Sequence, residues 1–175
     1  MHIRLRKIRL LRRRNRRPIA RFTRNERGVQ LAELAIVMPI LILLFAVTAE
    51  FGRYFYEYTT LAKAARIGAR YLATACVKPG EDANAKNLVV YGNAAGTGSP
   101  VIAGLTPSKI TITRRDSGGA VITSGVPQTV TVNVTSFKFQ PLFDLGGLMN
   151  NSGLSLNIDV KPSVTMRYLL TTPCV

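Results

Sequence analysis

Hydrophobic positions along this chain follow three rhythms in succession. From Leu34 to Ala49 they run together, as the sixteen-residue apolar stretch "LAIVMPILILLFAVTA". A helix of that length rises about 24 Å, short of the roughly 30 Å hydrocarbon layer of a bilayer. Adding the flanks Val29 to Leu31 and Phe51 brings the span to an adequate length, and then it encloses Glu33 and Glu50. From Glu50 the rhythm becomes helical. Phe51, Tyr54, Phe55 and Tyr58 recur at three- and four-residue steps, and Leu61, Ala65, Gly68 and Leu72 continue the stripe. Ala62, Ala65, Ala69 and Ala73 are small enough to let another element approach closely, and Tyr54, Tyr56 and Tyr58 stand where an interfacial aromatic belt belongs. Residues 29 to about 76 therefore read as one helix, half in lipid and half amphipathic. Pro39 is tolerated inside the apolar run, and Lys78-Pro79-Gly80 ends the helix.

Residues 80 to 108 are rich in Gly, Ala, Asn and Pro and read as loop. From 109 the period is two. "KITIT" alternates Ile110 and Ile112 against threonines, and "TVTVNVTSF" sets Val130, Val132 and Val134 on one face. "LSLNIDV" does the same with Leu154, Leu156, Ile158 and Val160, and "SVTMRYLL" with Val164, Met166 and Tyr168. Strict alternation marks strands with one buried face. "DSGGA", residues 116 to 120, reads as a hairpin turn. Lys161-Pro162 reads as the turn between the last two strands, which makes them antiparallel neighbours. A sheet with one apolar face needs a cover, and the amphipathic half of the helix is the long element available. The expected fold class is α+β: a long N-terminal helix, membrane half plus amphipathic half, packed on a small antiparallel β-sheet.

Charge sharpens the division of the chain. Its 175 residues carry a formal +15, but residues 1–28 hold 12 basic residues against one acid, a net +11. A basic arm beside an apolar run is the topology signal of a cytoplasmic flank, rather than of nucleic-acid binding; no basic stripe interleaved with aromatics follows it. Charges this dense repel, so the arm is expected to be disordered or loosely held on anionic lipid. Three regions are expected: a basic cytoplasmic leader at 1–28, the transmembrane and amphipathic helix at 29–76, and an extracytoplasmic β-rich domain at 77–175. The single histidine, His2, sits in the arm, and the two cysteines form no CxxC. No catalytic, cofactor-binding or metal-ligating set is expected from these, and no enzyme. One disulfide, Cys76 to Cys174, is the natural use of two cysteines beyond a membrane, with two free thiols as the alternative. Closing a loop of about 100 residues, that bond would stabilise by roughly 4 kcal/mol less any strain.

Glu33 is the anomaly, a carboxylate at the head of an apolar helix and the fifth residue after a glycine, in "RGVQLAE". That arrangement is similar to the prepilin-peptidase site of type IV pilins and pseudopilins. "EFGRYFYEYTTLAKAARIGARYLA" resembles the signature of TadE-like pseudopilins of tight-adherence (Tad, or Flp) pilus systems. "VTVNVTSFKFQPLFDLGGL" and "LSLNIDVKPSVTMRYLL" resemble that family's last strands. Leu34 stands where many Tad pilins have tyrosine, which points away from a major pilin. The resemblance implies cleavage between Gly28 and Val29 by an inner-membrane aspartyl peptidase. It implies a family signature of Glu50, Phe51, Gly52, Arg53, Arg66, Gly68 and Arg70, and Glu33 as an assembly contact. The implied partners are the prepilin peptidase, other pilin or pseudopilin subunits, inner-membrane pilus assembly proteins and membrane lipid.

The physical case stands beside it. Glycine lets a protease approach the backbone closely. Cleavage removes the +11 and leaves an α-amine on Val29, largely protonated near neutral pH with a reference pKa of about 7.7–8.0. A neighbour's amine can then meet Glu33, whose solitude in lipid is unfavourable. The bland alternative leaves Glu33 among headgroups beside Arg24 and Arg27. Glu50, Arg53 and Glu57 lie at three- and four-residue steps, and the expected form is a solvated salt bridge of little worth. Arg66 and Arg70 are expected to be solvated or helix-packing residues. The competing functional readings are a secreted enzyme or binding module, with "VTA" at Val47 to Ala49 as its signal-peptide cleavage site, and a static membrane anchor that is never processed and never polymerises.

Overall fold

The computed structural model describes residues 26–143, 145–148, 150–151, 153 and 155–170. The arm at 1–25, Leu154 and Cys174 lie outside the described residues, with the expectations placed on them. Helix α1 covers Glu26–Thr74 and runs through Pro39. The chain divides into two units, Met1–Leu44 and Phe45–Val175. In the first, the described residues from Gly28 to Leu44 are exposed throughout, although most are apolar.

The second unit holds the core. After α1 come α2 (Glu81–Tyr91), a 3-10 turn (Pro107–Lys109), β1 (Ile110–Arg115), β2 (Val121–Ile122), β3 (Thr129–Val134), a short α3 (Leu145–Leu148) and β4 (Ser163–Arg167). The four strands form one antiparallel sheet in the order β2-β1-β3-β4. The α+β class is as the periodicities require. Ile112 stands opposite Val132, and Val132 opposite Val164, so alternate residues line one apolar face. Against it lies the stripe of α1, with Leu61, Ala65, Ala69 and Leu72 all essentially inaccessible. The other face is polar, and the Thr131 and Thr165 hydroxyls bond across it at 2.8 Å. At the hairpin, Asp116 accepts from the Gly118 and Ala120 amides, which is the turn that "DSGGA" announced.

Two expectations fail here. The stretch 80–108 is not all loop, because α2 occupies Glu81–Tyr91. Its helical signal is faint: three buried residues, Ala85, Val89 and Val90, and no side-chain cap. Its real markers are Glu81 and Asp82 in the first turn, favoured by the helix dipole, and Gly92 at the C-cap with φ 74°. α2 is tied to its surroundings by Arg114, which grips Asp82 with both terminal nitrogens, and by the Tyr71 hydroxyl donating to Glu81.

"LSLNIDV" is the second failure. Its described part forms no named strand, only an isolated bridge between Lys138 and Asp159. Phe139 N–H donates to Ile158 O at 2.9 Å and Val160 N–H to Phe137 O at 2.8 Å. Ile158 is exposed while Val160 is buried, so the expected common face does not exist. Lys161-Pro162 is consequently not a turn between neighbouring strands; β4 pairs with β3. The segment 137–139 is the reason. It presents Phe137 and Phe139 to the core and takes the neighbouring position that the alternation seemed to offer β4.

Candidate assembly and processing site

The first cluster of sequence-predicted residues lies on the first unit. Gly28 lies near the start of the described part of α1, and a Cβ there would meet nothing within 4 Å. Val29 is 62% exposed, and Glu33 is exposed one turn further on. The helix from Gly28 to Thr74 is long and apolar enough to cross a membrane, and none of its most apolar window is buried. This fits a single-pass membrane protein.

The second cluster begins where the apolar run ends. Glu50 was expected in a solvated pair, and the structure overturns this: its residue is 2% exposed. Its Oε1 accepts the backbone N–H groups of Leu142, at 2.7 Å, and Phe143, at 3.1 Å. Its Oε2 takes Arg53 Nη1 at 3.3 Å, and Arg53 Nη2 reaches Glu57 Oε1 at 3.8 Å. Arg53 also lies over the Phe139 ring, 5.4 Å from its centroid, and Tyr54 meets that ring edge-on at 5.6 Å. Burial pushes the Glu57 carboxyl above its ordinary pKa; Arg53 opposes the shift and Glu50 adds to it.

Spacing predicted the Glu50–Arg53–Glu57 row but not its partners, which lie over ninety residues away. Replacing Glu50 with Ala strands two amides and removes a charged acceptor. We expect a loss of about 2 kcal/mol, with Glu50→Gln less damaging because it keeps one acceptor oxygen. Urea melts of the chain in detergent micelles, followed by circular dichroism, measure it.

The remaining signature residues separate by role. Phe51 and Gly52 are exposed, as are Arg66 and Arg70, and a Cβ at Gly52 would meet nothing within 4 Å. Gly68 is buried against α2, where its missing side chain is the space that Val89 fills. Cys76 is half-buried just beyond α1. The chain returns to this point: Leu169 N–H donates to Ala73 O at 2.9 Å, and the Tyr168 hydroxyl to Ala75 O at 2.8 Å. Among the described residues, no group of three or more His, Cys, Asp or Glu is placed to hold a metal.

Comparison with curated proteins and with solved structures gives no match. One family model does match, described as TadE-like protein, over residues 28–70. The matched stretch starts at the glycine, includes Glu33 and the Glu50–Arg53 pair, and ends two residues past Gly68. The match falls on the residues that carry the resemblance, "RGVQLAE", "EFGR" and "AARIGAR": residues 28–70 are similar to the TadE-like family, which is consistent with a protein of the Tad pilus system.

Proposed function

We propose that the chain is a minor pseudopilin, cleaved after Gly28, that takes part in assembling a Tad/Flp-type pilus or secretion filament. The observation that carries this reading is the TadE-like match, which begins at Gly28 itself and follows a helix whose apolar half is uncovered. By the positive-inside rule the basic segment 1–28 is a cytoplasmic leader, α1 crosses the inner membrane once, and residues 77–175 are extracytoplasmic. Prepilin peptidase hydrolyses the Gly28–Val29 bond. The new ammonium of Val29 on one subunit pairs with Glu33 of the next, and the uncovered apolar halves pack side by side. Other pilin or pseudopilin subunits and inner-membrane assembly proteins are the partners. Beyond the membrane, Cys76 and Cys174 form a disulfide. The return of the chain to Ala73 and Ala75 supports it, since Cys174 is five residue steps beyond Leu169, a reach of at most about 17 Å.

N-terminal sequencing of protein purified from its own membrane tests the reading. Cells with the peptidase should yield Val29 as the first residue, and cells lacking it should yield Met1. A mature protein that begins at Glu50 would instead mark an ordinary signal peptide and end the proposal.

A further inference from the structure

The tripeptide Pro141-Leu142-Phe143 is unusual in showing its apolar side chains to solvent while its backbone is anchored. Leu142 is 72% exposed and Phe143 55%. Both of their N–H groups are nevertheless held by a single buried carboxylate oxygen of Glu50. Glu50 directly follows Ala49, the last residue of the apolar run, so this hydrogen bonding fixes the loop at the level where α1 leaves the apolar region. Phe51 and Ile158 add further exposed apolar surface, and Phe51, Leu156 and Ile158 line one crease with Glu50. Arg53, Glu57, Lys109 and Lys138 line a neighbouring hollow that also includes Pro141 and Leu142.

An exposed apolar loop beside a hollow with three basic residues and one acid suits a bilayer surface, with acyl chains for the loop and anionic phosphates for the cations. We propose that the loop 141–143 is a membrane foot: Leu142 and Phe143 enter the leaflet from which α1 emerges, while the exposed Lys138 faces anionic headgroups. The foot gives the folded unit a second attachment to the bilayer and so sets its orientation there. It must leave lipid when the subunit is extracted into a filament. The inference rests on the membrane-spanning reading of α1.

The chain contains no tryptophan, so one introduced indole is a clean reporter. The full chain carrying Phe143→Trp is placed in vesicles of phosphatidylethanolamine and phosphatidylglycerol, with and without brominated acyl chains. Blue-shifted emission and severalfold quenching by the brominated lipid are expected. Val121→Trp, on the exposed strand β2, should show neither, and Leu41→Trp, in the apolar run, should show both. Quenching at Leu41 with water-like emission at Phe143 would overturn the foot and leave the span intact. Absence of quenching at Leu41 would overturn the span and the foot together. Blue-shifted but unquenched emission at Phe143 would mean that protein covers the loop, which also overturns the proposal. Adding Glu50→Ala to Phe143→Trp should reduce quenching severalfold; unchanged quenching would remove Glu50 as the anchor.

Discussion

A Glu33→Val chain is expected to reach the membrane in normal amount and to be missing from the filament. Insertion should not suffer, because valine is favourable on insertion scales whereas an acid at a helix centre is unfavourable by about 2.5–3.5 kcal/mol. Near the end of the span that penalty is smaller, and the helix dipole favours an anion in its first turns by ~0.3–1 kcal/mol, which is how a lone subunit tolerates Glu33. Assembly is different. Once 1–28 is removed, Val29 carries a protonated amine and the only acid near the head of the run is Glu33. Two opposite charges that each lose water on packing gain from meeting in register and lose if displaced by a turn. On the proposed pairing, valine in place of Glu33 leaves an ammonium unpaired at every interface, and each 1.4 kcal/mol lost is tenfold in association, repeated at every subunit. Sheared-filament and carbonate-resistant membrane fractions separate the two effects. Glu33→Gln should fall between, because an amide accepts the hydrogen bond without the charge. Full incorporation of the valine variant would mean that the carboxylate has no pairing role.

The unequal legibility of the chain has a physical reason. The stripe Leu61, Ala65, Gly68 and Leu72 and the strands β1 and β3 announce themselves because each buries one face against a partner, which forces a period into the sequence. α2 leaves a weaker mark. It packs through Ala85, Val89 and Val90 and needs little apolar surface, since a glycine opposite lets it come close. In "LSLNIDV" the alternation does not correspond to burial; its neighbour 137–139 claims the inner position, and Ile158 faces outward. Gly28 and Glu33 were legible as a spacing, and their exposure suits contacts made with other molecules. Glu50 was legible as one member of a helix row and illegible as a buried acceptor, because the amides it holds belong to Leu142 and Phe143. Helical spacing reports neighbours along a helix and is silent about a loop that folds back from the far end of the domain.

Gly68→Leu should destabilise the folded unit by about 3 kcal/mol or more, at the top of the range for overpacked cores. The position has no room. A Cβ there would lie 2.5 Å from Val89 Cγ2, 3.4 Å from the Ala85 carbonyl oxygen and 3.9 Å from Val132 Cγ1. Val89 cannot swing aside, because its β-branched side chain has one favoured rotamer in a helix and is fully buried. The Ala85 carbonyl is backbone, so relief requires α2 to move off α1. That movement strains the tether from Arg114 to Asp82 and the one from Tyr71 to Glu81. Gly68→Ala is the informative smaller step. Alanine gains about 1 kcal/mol of helix propensity over glycine, which offsets part of the clash and leaves a small net loss. Pairing Gly68→Ala with Val89→Ala should then cost less than the two single changes added together, because the methyl of one fills the space vacated by the other. Urea midpoints for the four chains measure that coupling. An unchanged midpoint for Gly68→Leu would mean that α2 does not pack on α1 as this structure has it, and the glycine would need another explanation.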